Sequence, residues 1–165
     1  MKTSTITNKS QMSYTRKEYM GGIPGSKIVR FTMGNTQKHF PYRVKLVTKK
    51  DGQILHNALE AGRIAALRHL EGRLERKNFM LKIVPFPHQV VREHKRVNVA
   101  QADRFQEGMK KAYGKPSAVA ARVDRRNPIF IAEVDETNIS EAKRALEKVS
   151  HKLPLPMKIL VEKVE

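Results

Sequence analysis

Between Arg92 and Arg126 the chain reads REHKRVNVAQADRFQEGMKKAYGKPSAVAARVDRR, and this stretch limits the possible folds more than any other. It carries Arg92, Lys95, Arg96, Arg104, Lys110, Lys111, Lys115, Arg122, Arg125 and Arg126 against Glu93, Asp103, Glu107 and Asp124. Cations at this density repel one another and stay solvated unless an anion lies beside them, and a polyphosphate backbone is the commonest such anion. Small residues, Gly and Pro interrupt the charge, so the stretch is not a simple amphipathic helix. It reads as a nucleic-acid-facing extension on a compact domain.

The rest of the charge agrees. The chain has 165 residues and a net charge of +17, from 33 basic and 16 acidic side chains. That length fits one domain with a real core. The excess is uneven: residues 133–165 hold six Lys/Arg and seven Asp/Glu, which leaves +18 to residues 1–132. A charge this large opposes an isolated compact state and suits a working state that includes a polyanion. There is no cysteine, which removes disulfides, thiolate zinc sites and Cys nucleophiles and fits a cytoplasmic protein. The N-terminal MKTSTITNKSQMSYTRKEYM has no apolar run, so no signal peptide is expected. No apolar window approaches about 18 residues, so no membrane span is expected either.

Residues 1–13 are polar and read as a mobile tail, with residues 14–165 forming a single α+β domain. Met20–Gly25 (MGGIPG) reads as a loop. Alternation of apolar and polar residues predicts strands over Lys27–Met33, Phe40–Thr48, Phe79–Phe86, His88–Glu93 and Met157–Val164. The β-branched runs Ala118–Asp124 and Ile129–Val134 flank Asn127-Pro128 and read as a hairpin. The longest helix is expected over Gly52–Leu74. Ile54, Ala58, Ala61 and Ala65 form one stripe, with Leu55, Leu59, Gly62 and Ala66 beside it and Arg63, Arg68, Arg73 and Arg76 outside. A second helix is expected over Ser140–His151, with Ile139, Ala142, Leu146 and Val149 inward and Asn138 or Ser140 as its cap. Together these predict a two-layer α+β sandwich of two amphipathic helices on a largely antiparallel mixed sheet, with a long basic loop at 96–116.

The motifs argue against chemistry. GGIPGSK at Gly21–Lys27 places three residues between the glycines, where a phosphate loop needs four, and Ser26 precedes Lys27. A strand is expected after it, not the helix N-terminus that would meet a phosphate. At Gly114-Lys115, Met109 and Pro116 occupy the positions that need Gly and Ser/Thr. Of the six histidines none is spaced H-x-x-x-H, and His56 with Glu60 reads as a helix-surface pair, so no metal site is expected. Acids stand singly among basic residues. Asp103 with Arg104, and Glu107 with Lys110 and Lys111, read as intrahelical pairs, and no catalytic residue or cofactor is expected. Within the basic stretch Ala102, Phe105, Met109, Ala112 and Tyr113 fall at helical spacing, as for a short locally packed helix. Tyr14 and Tyr19 flank Arg16 and Lys17, a mixture of aromatics and cations that suits an RNA backbone with splayed bases or a tail docked on the core. The candidate RNA-binding set is Arg16, Lys17, Lys27, Arg30, Arg63, Arg92, Lys95, Arg96, Arg104, Lys110, Lys111, Lys115, Arg122 and Arg125.

Several segments resemble, in order, one family. They are Tyr14–Gly25 (YTRKEYMGGIPG), Leu59–Ala66 (LEAGRIAA), Ala102–Met109 (ADRFQEGM), Ala112–Pro116 (AYGKP), Ala120–Val123 (AARV) and Lys152–Pro156 (KLPLP). The chain resembles the universal L-sixteen family of large-subunit ribosomal proteins, in its archaeal and eukaryotic L-ten-e branch. The absence of a eukaryotic-style extension points to the archaeal side. The resemblance implies an α+β sandwich bound to 23S-type rRNA near the base of the central protuberance, beside the aminoacyl-tRNA channel. It implies a loop, roughly Arg96–Pro116 here, aimed at the peptidyl-transferase centre. The 5S rRNA region, neighbouring ribosomal proteins and aminoacyl-site tRNA are further candidate partners, and no homo-oligomer is implied. Two places depart from the family: no Arg precedes Arg16, and Ser117-Ala118-Val119 stands where the family carries Gly. Two rival classes remain, a free RNA- or DNA-binding regulator and an RNA-modifying enzyme. The regulator explains the charge but not the ordered motifs. The enzyme lacks a cofactor loop, a nucleophile and a carboxylate pair.

Overall fold

The computed structural model describes residues 17–94 and 113–164. The expected tail (1–13), Arg16, most of the basic loop and the short helix and ion pairs proposed within it lie outside the described residues. In chain order the elements are β1 (Thr32–Gly34), β2 (Tyr42–Thr48), β3 (Gly52–Leu55), α1 (His56–Glu71), β4 (Phe79–Ile83) and β5 (Gln89–Glu93). They continue with β6 (Lys115–Val123), β7 (Pro128–Val134), α2 (Ile139–Ser150) and β8 (Met157–Lys163). Single 3₁₀ turns cover Lys17–Tyr19, Arg76–Asn78 and Glu136–Asn138.

The architecture is the expected α+β sandwich, with its strands divided between two sheets. One has the order β1-β4-β7-β2-β8 and the other β3-β6-β5, and each described pairing is antiparallel. In the larger sheet Val44 and Leu81 both oppose Ala132, and Leu46 and Ile83 both oppose Phe130. All six are buried on the face that the helices cover. Period-2 alternation is what allows this: one face of β2 takes Val44 and Leu46 inward, while Arg43 and Lys45 point away. There Arg43 bonds Glu133 at 2.7 Å and Lys45 pairs with Glu162. Lys38 pairs with Asp135 at 2.7 Å. The balanced C-terminal segment thus spends acids on cations of the first third.

The helices meet each other and the sheet at Gly62. A Cβ at that position would lie 3.0 Å from Val149 Cγ1 on α2 and 3.3 Å from Phe130 Cζ on β7. Only a residue without a side chain lets α1 come this close. The buried stripe of α1 is His56, Leu59, Gly62, Ala66 and Leu70, whereas Ala61 is exposed. Within α1 the most deeply buried line is therefore the companion stripe, while Ala58 packs partly against the core and Ile54 is buried from β3. On α2, Ala142, Ala145, Leu146 and Val149 are buried, as its spacing predicts. Neither helix has a side-chain hydrogen bond at its N-cap, so Asn138 holds the cap position of α2 without capping it.

Three expectations are corrected. The expected first turn of the long helix, Gly52–Leu55, is a strand paired with Ala120–Val123. Ile54 and Leu55 satisfy both a helical and an alternating pattern, and the free edge of β6 decides between them. The expected hairpin does not form: β6 pairs with β3 and β5, and β7 pairs with β2 and β4, so the Asn127-Pro128 turn carries the chain from one sheet to the other. The expected strand at Lys27–Met33 shrinks to Thr32–Gly34. Backbone before it is engaged elsewhere, since Lys27 N–H donates to His56 Nδ1 at 2.8 Å. No described helix is long and apolar enough to cross a membrane.

Candidate nucleic-acid interface

β5 and β6 form the root of the basic loop. Glu93 pairs with Lys115 and Arg92 with Pro116, so residues 95–112 leave and re-enter between the ends of two adjacent antiparallel strands. The register slips between Val91 and Arg92, which leaves Ser117 as the extra residue of a bulge. Pro116, with no N–H to donate, sits beside that bulge, where a ladder tolerates it. Ser117-Ala118-Val119, the departure from the family pattern, is therefore strand.

The root is locked by Gly114 and Arg92. Gly114 has φ +73°, and a Cβ there would lie 2.2 Å from Glu93 O and 2.5 Å from His94 N. The Gly114 carbonyl accepts from Arg92 Nε at 3.1 Å and from Nη2 at 2.9 Å. The same guanidinium lies 5.7 Å from the centre of the Tyr113 ring, a cation–π distance. Arg92 thus holds the loop's two ends together, a positioning role that its charge alone does not reveal.

The other described candidates divide by what surrounds them. Lys17, Lys27, Arg30 and Lys115 are exposed and make no ion pair with a described residue. Arg63 is half-buried and held by Glu60 at 2.6 Å, with Met33 Sδ 3.4 Å from its other nitrogen. The pair lowers the Glu60 pKa and raises that of Arg63, in each case through the hydrogen bond between them. That neutralised pair offers less to a phosphate than an open cation does. Arg122 is half-buried in β6. Arg125 is exposed, with its backbone N–H on Asp51 at 2.9 Å and its side chain 3.6 Å from the same carboxylate. Arg16, Lys95, Arg96, Arg104, Lys110 and Lys111 lie outside the described residues.

A cationic groove was not legible in the sequence. Arg68, His69 and Arg73 at the end of α1 face Lys148, His151 and Lys152 at the end of α2 across a cavity of about 560 Å³. Sequence spacing places the first three on one side of a helix, but only helix packing brings the second three opposite them. Within the groove His69 Nδ1 accepts from Lys148 Nζ at 2.8 Å, and its Nε2 lies 2.9 Å from Glu141 Oε2.

His56 was expected on the helix surface, and instead it is buried, with 4% of its surface exposed. Burial pushes its pKa below the ordinary histidine value, and the nearby Lys27 charge adds to the effect. Its Nδ1 must be unprotonated to accept the Lys27 N–H. A folded-state pKa below the unfolded one gives stability that is present above the unfolded value of 6.5 and lost as pH falls from there toward the folded value. Urea melts at pH 7.5 and 5.5 should therefore show a loss on acidification that is smaller in His56→Gln. An unchanged pH slope in that variant would refute the assignment.

Comparison with known proteins follows the same direction. A family model described as ribosomal protein L16p/L10e matches residues 9–160. The chain is 44% identical over 151 residues to a Methanocella arvoryzae protein named large ribosomal subunit protein uL16, covering 92% of this chain and 88% of that one. A Thermoplasma acidophilum protein of the same name is 46% identical over 151 residues, 92% of this chain and 86% of its own. One from Staphylothermus marinus is 44% identical over 154 residues, 93% and 88%.

Proposed function

Because the chain belongs to the ribosomal protein L16p/L10e family, we propose that it is a structural constituent of the large ribosomal subunit that binds 23S-type rRNA. The relatives compared are named as ribosomal subunit proteins and not for any catalytic activity. The observation that supports the reading is the partition of charge. Asp135, Glu133 and Glu162 neutralise Lys38, Arg43 and Lys45, while Lys17, Lys27, Arg30 and Lys115 stay exposed beside the loop root and the N-terminal segment. Lys and Arg there neutralise phosphates as rRNA helices converge, and release of condensed counterions drives association. Recognition rests on backbone and shape more than on base edges. The finer placement follows the family: near the aminoacyl-tRNA site, with the loop toward the peptidyl-transferase centre.

The experiment is sucrose-gradient sedimentation of a tagged copy after a high-salt wash. Retention in the large subunit supports the proposal. Loss into light fractions would make the protein a peripheral RNA binder instead. A companion variant combines Arg104→Ala, Lys110→Ala and Lys111→Ala. It should melt like the wild type yet lower polysome content or tRNA binding severalfold. Wild-type polysomes and tRNA binding would remove the loop from the mechanism.

A further inference from the structure

We infer that Phe86, stacked on Phe31, is a platform on which one unpaired rRNA base stacks. The proposal rests on the reading above and names a contact within it. The two rings lie 5.4 Å apart at their centres with 27° between planes. That is within the offset-stacked range. Phe31 is partly buried and packs against the core, whereas Phe86 is 61% exposed. One ring is therefore the anchored floor and the other presents its surface to solvent. Phe86 stands between Pro85 and Pro87, and Pro87 is buried, so the backbone that carries the ring has little freedom to fold it away. A large aromatic left in water on a stiff support fits a partner with an apolar planar face.

The surroundings say which partner. Residues 19–50 contain no Asp or Glu, and neither do residues 76–92, so both segments that build the platform lack acids. Lys27 and Arg30 on the first of these segments are exposed and make no ion pair with a described residue. An apolar protein surface offers the cations of these segments no anion. A splayed nucleotide brings both requirements at once, a ring face for Phe86 and a phosphate for the cations. The sequence hides this site because FMLKIVPF reads as one strand, whereas β4 ends at Ile83 and leaves Phe86 outside it.

The test uses the full-length protein and deproteinised large-subunit rRNA, comparing wild type, Phe86→Leu and Phe86→Trp. Base stacking predicts that Phe86→Leu binds about tenfold more weakly. Phe86→Trp should match the wild type, and all three should melt alike because the ring is exposed. Phe86→Leu binding as the wild type does, or Phe86→Trp losing as much as Phe86→Leu, would overturn the platform. In parallel, a photoreactive benzoylphenylalanine at position 86, carried into assembled subunits, should cross-link to rRNA. A cross-link to a ribosomal protein would make this a protein-docking surface and overturn the proposal. If the wild type itself fails to bind rRNA or to sediment with large subunits, the ribosomal reading falls as well. If only the Phe86 results fail, that reading stands.

Discussion

Gly114→Ala is expected to destabilise the protein by at least about 2 kcal/mol and to abolish loop-dependent function. Two costs combine. The φ of +73° is a conformation that residues with a Cβ adopt only under strain. The added methyl would also sit 2.2 Å from Glu93 O and 2.3 Å from Glu93 C, which are backbone atoms that cannot rotate aside. Relief requires the ends of β5 and β6 to part. Parting them breaks the Glu93–Lys115 pairing and pulls the Gly114 carbonyl from Arg92. The function proposed for Arg104, Lys110 and Lys111 is expected to fail with that root. Gly25→Ala is the control, since Gly25 has no heavy atom within 4 Å of its would-be Cβ and no positive φ. Urea denaturation of the two variants, with large-subunit incorporation in cells, gives the comparison. If Gly114→Ala melts and assembles as Gly25→Ala does, the root is not locked as described.

Phe130→Ala should cost about 3–5 kcal/mol, the range for emptying the space of a buried aromatic. Phe130 is fully buried on the central strand β7, opposite Leu46 on one neighbour and Ile83 on the other. Its ring edge also meets α1 at Gly62. The cavity would therefore open where the sheet and α1 come together, and neither can collapse into it without moving the other. A domain's total stability is about 5–15 kcal/mol, and this one also carries a net charge of +17 with no polyanion beside it when isolated. The isolated variant is accordingly expected to be largely unfolded at 37 °C by circular dichroism. Added rRNA should restore part of the signal, because a ligand that binds only the folded state stabilises it by mass action. A variant with a wild-type melting temperature would show that this ring does not hold the layers together.

Much of the secondary structure was legible because its signal is local. In β2, Val44 and Leu46 alternate with Arg43 and Lys45, and in α2 Ala142, Leu146 and Val149 recur with the helical period. Each pattern needs only its own neighbours to be read. The charge asymmetry was legible for the same reason, and the ordered motifs pointed to the family now matched over residues 9–160. At the candidate interface the exposed cations Lys17, Lys27, Arg30 and Lys115 could be named from the sequence, but the locking role of Arg92 and the neutralised state of Arg63 could not. Both depend on partners that only the folded chain supplies.

By itself, then, the sequence determined the α+β class, the positions of most strands and of α2, the concentration of positive charge, and the family. The tertiary structure decided the rest. It made Gly52–Leu55 a strand, sent β6 and β7 to different sheets, buried His56, and set Arg68 and Arg73 facing Lys148 and Lys152. The physical reason is the range of the forces. Alternation, helical period and charge are properties of adjacent residues. Strand pairing, burial and convergence of side chains depend on contacts between segments far apart in the chain, and one edge left unpaired or one glycine at a crossing is enough to choose among arrangements that the local pattern leaves equal.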